Sequence, residues 1–148
     1  MAKIDFINQL KALGLNPQEP SANKVYFEWT VPVGGNYNKK VLMGFVVGDD
    51  FPMSCPTGPH FLQLDNNWIE HTQNIHNQQF GHNWDNYPND RPLSTYQNGW
   101  RYWSRPCSTW NSSERTVKYY LDHIKNIMMT IWKKYIVLLC LEISILVY

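Results

Sequence analysis

Apolar side chains recur at helical spacing near the N-terminus. Ile4, Ile7 and Leu10 stand three residues apart in KIDFINQLKALGL, and this pattern predicts a helix over residues 3–15. Pro17 is expected to end the helix, because proline cannot donate to the helical hydrogen-bond ladder.

A change of pattern further along predicts a β-sheet. VYFEWTVPV at 25–33 and KKVLMGFVVG at 39–48 are rich in the β-branched and aromatic residues that favour strands. The letters GGN between them are typical of a turn, so the two strands form a predicted hairpin. A proline-rich crossing, FPMSCPTGPHFLQL, then leads into a third strand at 60–64.

The clearest helical pattern lies nearer the C-terminus. Asn111 followed three residues later by Glu114 is an N-cap signal, which predicts a helix from about Ser112 to Trp132. An apolar stripe and an opposite charged face are spaced as in an amphipathic helix. The stripe is Val117, Tyr120, Leu121, Ile124, Met128 and Ile131, and the charged face is Lys118, Asp122 and Lys125.

These elements predict one α+β domain over residues 1–132. In it, a four-stranded antiparallel meander is flanked by an N-terminal helix and a long C-terminal helix. Residues 133–148 form an apolar C-terminal tail, in which YIVLLCLEISILVY has fourteen residues. A membrane-spanning helix needs about 20. A helix or strand packed on the domain, a tail anchor and the product of an altered reading frame all fit this pattern.

Composition favours a folded cytoplasmic domain. The chain has 148 residues, of which 43% are hydrophobic and 17% charged, too apolar for a disordered protein. Its net charge of +1 argues against a protein that mainly grips nucleic acid or anionic lipid. Three cysteines without close spacing favour a reducing compartment, and the N-terminus lacks the apolar core of a signal peptide.

A long polar stretch precedes the most aromatic part of the chain. Residues 65–98 are rich in Asn and Gln and have no sustained periodicity, which is typical of a functional loop. WRYWSR at 100–105 then interleaves aromatic rings with arginine. This run suits packing beneath an active-site loop or an interface, and base stacking on single-stranded nucleic acid is a weaker alternative.

Cys107 is the candidate nucleophile. It lies in RPCSTW, four residues before Asn111, where Arg105 and the positive end of the following helix would favour the reactive thiolate. An ordinary buried cysteine fits the same position. Packing is the preferred interpretation of Cys55 and of Cys140.

The five histidines match no zinc template, and no metal or organic cofactor is implied. The sequence also has no Walker loop, dinucleotide-binding glycine fingerprint or Gly-x-Ser-x-Gly elbow. A Cys–His hydrolase stays open, with His60 or His82 as the base to Cys107.

The order of elements resembles that of the ubiquitin-conjugating enzymes over about residues 1–132. FPMSCPTGPHFLQL is similar to their Tyr-Pro…Pro-Pro crossing, and TWNSSERTVKYYLDHIKNI to the Trp-x-Pro-x-x-Thr helix after their catalytic cysteine. The pattern of Trp103, Ser104, Arg105, Trp110 and the helix resembles in particular the prokaryotic branch, which belongs to bacterial ubiquitin-like conjugation systems, several of them antiviral.

The resemblance implies a transferase that carries a ubiquitin-like protein as a thioester on Cys107. It would receive this modifier from an activating enzyme and pass it to an amine of a protein target; no nucleic-acid or membrane partner is implied. Asn98 would replace the Asn of the family's missing His-Pro-Asn signature and support the oxyanion, although a turn Asn fits equally. Arg105 would lower the pKa of Cys107 or be a surface residue, and Trp110 would pack the loop.

Two departures from the family pattern leave a second hypothesis open. The gap from Cys107 to Trp110 is shorter than in the eukaryotic pattern, and the stretch from Leu64 to Cys107 is longer, which implies an insertion at the site. We favour a divergent conjugating enzyme, because a cysteine is retained beside the tryptophan and the helix. The alternative is a catalytically silent module that binds the modifier or a partner through its aromatic-rich insertion.

Overall fold

The structure, a computed structural model, describes residues 2–21, 23–64, 75–76, 100–103 and 107–147. Its elements in chain order are α1 (Ala2–Ala12), β1 (Gln18–Ser21), β2 (Lys24–Thr30), β3 (Lys40–Val46), β4 (Thr57–Gln63), β5 (Ile75–His76), β6 (Trp100–Trp103), a 3-10 helix (Trp110–Ser112) and α2 (Val117–Val147). The predicted α+β class, with an N-terminal helix, a four-stranded antiparallel meander formed by β1 to β4 and a long C-terminal helix, is confirmed.

The strands of the described residues form a single antiparallel sheet. Its order is β1-β2-β3-β4-β6-β5, so the two short strands β6 and β5 extend the meander beyond β4. The predicted hairpin is β2 and β3, paired from Lys24 with Val46 to Thr30 with Lys40. The aromatic run WRYW, for which the sequence predicted no strand, forms β6, and Tyr102 pairs with His60.

Both helices pack on one face of this sheet. Alternate residues of β2, among them Val25 and Phe27, enter a core that also holds the inner faces of α1 and α2. The predicted stripe of α2 is confirmed, because its first five members are buried and Ile131 packs partly against them. On α1 the core residues are Phe6, Ile7 and Leu10 with Ala2, whereas the predicted Ile4 is 55% exposed.

Glycine rather than proline ends α1. The backbone N–H of Gly14 donates to Lys11 O at 3.0 Å and that of Leu15 to Leu10 O at 3.1 Å, the paired bonds of a Schellman motif. Gly14 has a φ of +80°, which the motif requires and glycine adopts without strain. The helix therefore stops before Pro17 can act on it.

The start of α2 also differs from the prediction. Thr116 is the N-cap, since its Oγ1 accepts the backbone N–H of Tyr119 at 3.1 Å. Asn111 instead lies in the 3-10 helix, so the predicted start at Ser112 is wrong. The first N–H of α2, from Val117, donates to Gln9 Oε1 at 2.8 Å, which ties the helix start to α1.

Beyond the core, α2 continues through the apolar tail as far as Val147. The side chains from Ile136 to Leu146 are exposed, so the interpretation in which the tail packs on the domain is wrong. Cys140, interpreted from the sequence as a packing residue, is exposed with them. In the part of the chain that the structure describes, no helix meets the length and apolarity needed to cross a membrane.

Trp132 packs α2 against the turn between β2 and β3. A Cβ atom on Gly35 would lie only 2.4–2.8 Å from three atoms of the Trp132 ring, so only glycine fits there. Gly34, with a φ of +87°, lies against the same side chain.

Gly35→Ala is therefore expected to lower the free energy of unfolding by about 1–3 kcal/mol, because the ring must shift to admit the methyl group. Urea unfolding measures the effect, with the same substitution in a Trp132→Ala background as control. The alanine should cost much less in that background. An equal cost in both backgrounds would show that the ring does not set the requirement for glycine.

Candidate functional site

Cys107 lies where the proline-rich crossing meets the loop that precedes α2. We call residues 51–56 the crossing and residues 107–113 the cysteine loop. The indole Nε1 of Trp110 donates to the carbonyl oxygen of Pro52 at 2.9 Å, and Arg115 extends an N–H to Met53 Sδ at 3.2 Å. The cysteine loop is thus anchored to the crossing through Trp110, and the residues that follow the loop add a second contact through Arg115.

Aromatic packing reinforces this anchor. Trp110 is 3% exposed, and its ring centroid lies 6.2 Å from that of Phe51 and 6.5 Å from that of Tyr120. Phe51 in turn meets Phe6 of α1 edge-on at 5.4 Å, and Tyr120 meets Phe45 of β3 at 5.4 Å. The rings connect the crossing, the cysteine loop, both helices and the sheet.

The cysteine loop is also held by hydrogen bonds of its own. The N–H of Trp110 donates to Cys107 O at 3.1 Å, and that of Ser112 donates to Thr109 O at 3.2 Å. Ser113 Oγ donates to Trp110 O at 2.6 Å and accepts the N–H of Arg115 at 3.0 Å. These bonds fix the backbone on both sides of Trp110.

Two hydroxyl groups accompany the Cys107 sulfur. Sγ lies 3.8 Å from Thr109 Oγ1, which lies 2.6 Å from the hydroxyl of Tyr119. This geometry permits a chain in which the Tyr119 hydroxyl donates to Thr109 Oγ1 and the Thr109 hydroxyl donates to the Cys107 sulfur. Sequence reasoning missed both residues. Thr109 carried a signal, a hydroxyl two residues after the cysteine, but only the fold brings Tyr119 to it.

Cys55 on the crossing is a second thiol beside Cys107. Burial raises its pKa to about 12, the nearby Cys107 adds to the rise, and a hydrogen bond with the backbone of Cys107 opposes it. Cys55 packs against the core of which Cys107 is a member, in agreement with its interpretation as a packing residue. With that pKa it stays protonated at neutral pH and is a poor nucleophile there.

His60 cannot serve as the base for Cys107. Its neighbour Phe61 enters the core that contains Cys107, and successive strand residues point to opposite faces, so His60 lies on the other face of the sheet. It is 4% exposed, and burial lowers its pKa to about 4, with Lys24 adding to the drop and a hydrogen bond with the Gly44 backbone opposing it. The hypothesis of a Cys–His hydrolase in which His60 is the base to Cys107 is therefore wrong.

The other predicted site residues are not placed. Asn98, Arg105 and His82 lie outside the described residues, so their roles stay predictions. Among the residues that are described, no group of three or more histidine, cysteine or acidic side chains can hold a metal ion. Comparison with known proteins found no matching family model, no matching curated protein and no matching solved structure.

The thiols of Cys107 and Cys55 are expected to differ in reactivity. In a Cys140→Ser variant, which removes the exposed thiol, iodoacetamide at pH 7.5 should modify Cys107 well before Cys55. Labelling of Cys55 should rise about tenfold per pH unit toward its pKa of about 12, because only the thiolate reacts. Peptide mass spectrometry separates the two sites. Equal labelling of both at pH 7.5 would contradict this account of the site.

Proposed function

We propose that the chain is a ubiquitin-like-protein conjugating transferase of the prokaryotic type, with Cys107 as the residue that carries the modifier. The proposal rests on one observation. Cys107 stands in a loop that a tryptophan anchors to a proline-rich crossing, directly ahead of a long helix packed on an antiparallel sheet. This is the order of parts that the resemblance to ubiquitin-conjugating enzymes implies.

In the proposed reaction, the Cys107 thiolate attacks the carbonyl carbon of the modifier's thioester on an activating enzyme. The sulfur of that enzyme leaves as a thiolate, and a new thioester joins the modifier to Cys107. An amine of the target then attacks the same carbonyl carbon, Cys107 leaves as a thiolate, and the amine loses a proton to solvent. Sulfur suits both steps because it is both a good nucleophile and a good leaving group.

Thr109 and Tyr119 support the charged forms of this cycle. A hydrogen bond from Thr109 Oγ1 stabilises the thiolate before attack and again as it leaves, and Tyr119 orients the Thr109 hydroxyl. Asn98 is the proposed oxyanion donor and Arg105 the proposed cationic neighbour of the thiolate. The cycle uses no metal or organic cofactor; its partners are the modifier, the activating enzyme and a target protein, in a cytoplasmic conjugation system with an antiviral role.

A second candidate function is a silent module that binds the modifier or a partner without carrying it. The burial of Cys107, which is 7% exposed, favours this alternative. A thioester at Sγ needs room for the modifier's C-terminus, so the enzyme hypothesis requires the cysteine loop to move and expose the Cys107 sulfur. A binding module has no such requirement.

A charging experiment distinguishes the two functions. The protein is mixed with ATP and with the activating enzyme and ubiquitin-like protein of a prokaryotic conjugation system, and the products are separated on a non-reducing gel. The enzyme hypothesis predicts a modifier-sized shift that added thiol removes. Cys107→Ser should abolish the shift or convert it to a thiol-resistant ester, whereas the matched Cys55→Ser should retain it. Thr109→Val should slow its formation on the order of tenfold.

An activating enzyme that charges itself but not this chain would overturn the catalytic proposal. The binding module would then be the better account, and a stable complex with the uncharged modifier would support it.

A further inference from the structure

The C-terminal end of α2 is apolar around its whole circumference. We call residues 135–147 the apolar extension. Four successive residues, Ile136 to Leu139, are 37–60% exposed, and at 3.6 residues per turn they point to four different sides of the helix. Further along, Ile145 and Leu146 are 76% and 85% exposed. The apolar surface is therefore a cylinder and not a stripe.

The spread of apolar side chains around the whole helix indicates what kind of partner can cover it. A partner protein or the domain itself covers one stripe of a helix, and a paired helix from a second copy buries only one seam. Either would leave the remaining sides of the apolar extension in water. Lipid acyl chains cover a helix on all sides at once, so they match a surface with no polar face.

The base of the apolar extension carries the residues of a membrane–water boundary. Lys133 and Lys134 are both exposed at the point where the domain ends. The rings of Trp132 and Tyr135 stack beside them, with centroids 5.3 Å apart and planes 26° from parallel. Lysines at such a position attract anionic head groups, and Trp and Tyr rings prefer the interface.

The length of the apolar extension suits one leaflet when the helix is tilted. Thirteen residues at about 1.5 Å each extend about 20 Å, which is less than the hydrocarbon core of about 30 Å and more than the roughly 15 Å of one leaflet. Within the apolar extension, Ser144 satisfies its hydroxyl by donating to Cys140 O at 2.9 Å. Glu142 is its one charged side chain, and it makes insertion less favourable.

We propose that the apolar extension inserts into one leaflet of a membrane that contains anionic lipid, with Lys133 and Lys134 at the head groups. The partner is a lipid surface, which the overall charge of +1 had argued against. That sum averages over the chain and misses a local pair of lysines beside an apolar helix end. The proposal does not depend on the chemistry of Cys107.

Fluorescence from a label in the middle of the apolar extension tests whether this segment inserts into a membrane. An environment-sensitive NBD label is placed on Cys140 in a Cys107→Ser variant of the 148-residue chain, and vesicles of phosphatidylcholine with or without phosphatidylglycerol are added. We expect a blue shift, quenching by bromine on the lipid acyl chains, and binding on the order of tenfold tighter to the anionic vesicles. A label on Lys11→Cys, with Cys107 and Cys140 both replaced by Ser, should stay unquenched.

Two lysine pairs on the same helix provide a matched comparison. Lys133→Gln with Lys134→Gln should remove the preference for anionic vesicles, and Lys118→Gln with Lys125→Gln should leave it in place. A Cys140 label that no vesicle quenches would overturn the proposal. So would a blue shift without vesicles that grows with protein concentration, because a second copy would then cover the apolar extension. Equal effects of the two lysine pairs would refute the role of Lys133 and Lys134.

Discussion

The hydrogen bond from the Trp110 indole to the carbonyl oxygen of Pro52 is the contact on which the site depends. It joins segments 58 residues apart in sequence, and the Trp110 ring also packs against Phe51 and Tyr120. A hydrogen bond of this kind contributes about 0.5–1.5 kcal/mol to stability. Because Cys107 is only three residues before Trp110, the same contact determines where its sulfur lies.

Local patterns predicted the elements that pack the core and missed those that tertiary contacts decide. The stripe of α2 was readable because its burial repeats with the helical period. The short strand β1, QEPS, has no such period and exists through its pairing with β2. Asn111 and Thr116 are both good N-caps in sequence. Docking of Trp110 keeps Asn111 in a 3-10 turn, and only Thr116 caps the helix.

The site was predictable only in part, for the same reason. Cys107 stood out in sequence by its position before a helix, but the thiol of Cys55 and the hydroxyl of Tyr119 reach it only through the fold. The period of β4 does not tell which face is the core, so His60 could not be excluded before the structure was known. The apolar tail illustrates a different limit of sequence patterns. An apolar pattern predicts that the side chains are covered, but it does not tell whether the domain itself or a lipid phase covers them.

Hydrogen exchange in a Trp110→Phe variant tests most directly whether this anchor positions the cysteine loop. Phenylalanine keeps an aromatic ring but removes the indole N–H. The backbone N–H groups of residues 110, 112 and 113, which are bonded within the loop, should exchange at least about tenfold faster. The paired amides of β2 and β3 should be unchanged, as should the loop in a Trp132→Phe control. Unaltered protection of the loop in Trp110→Phe would show that its own turn bonds hold Cys107 in place, and would contradict the account.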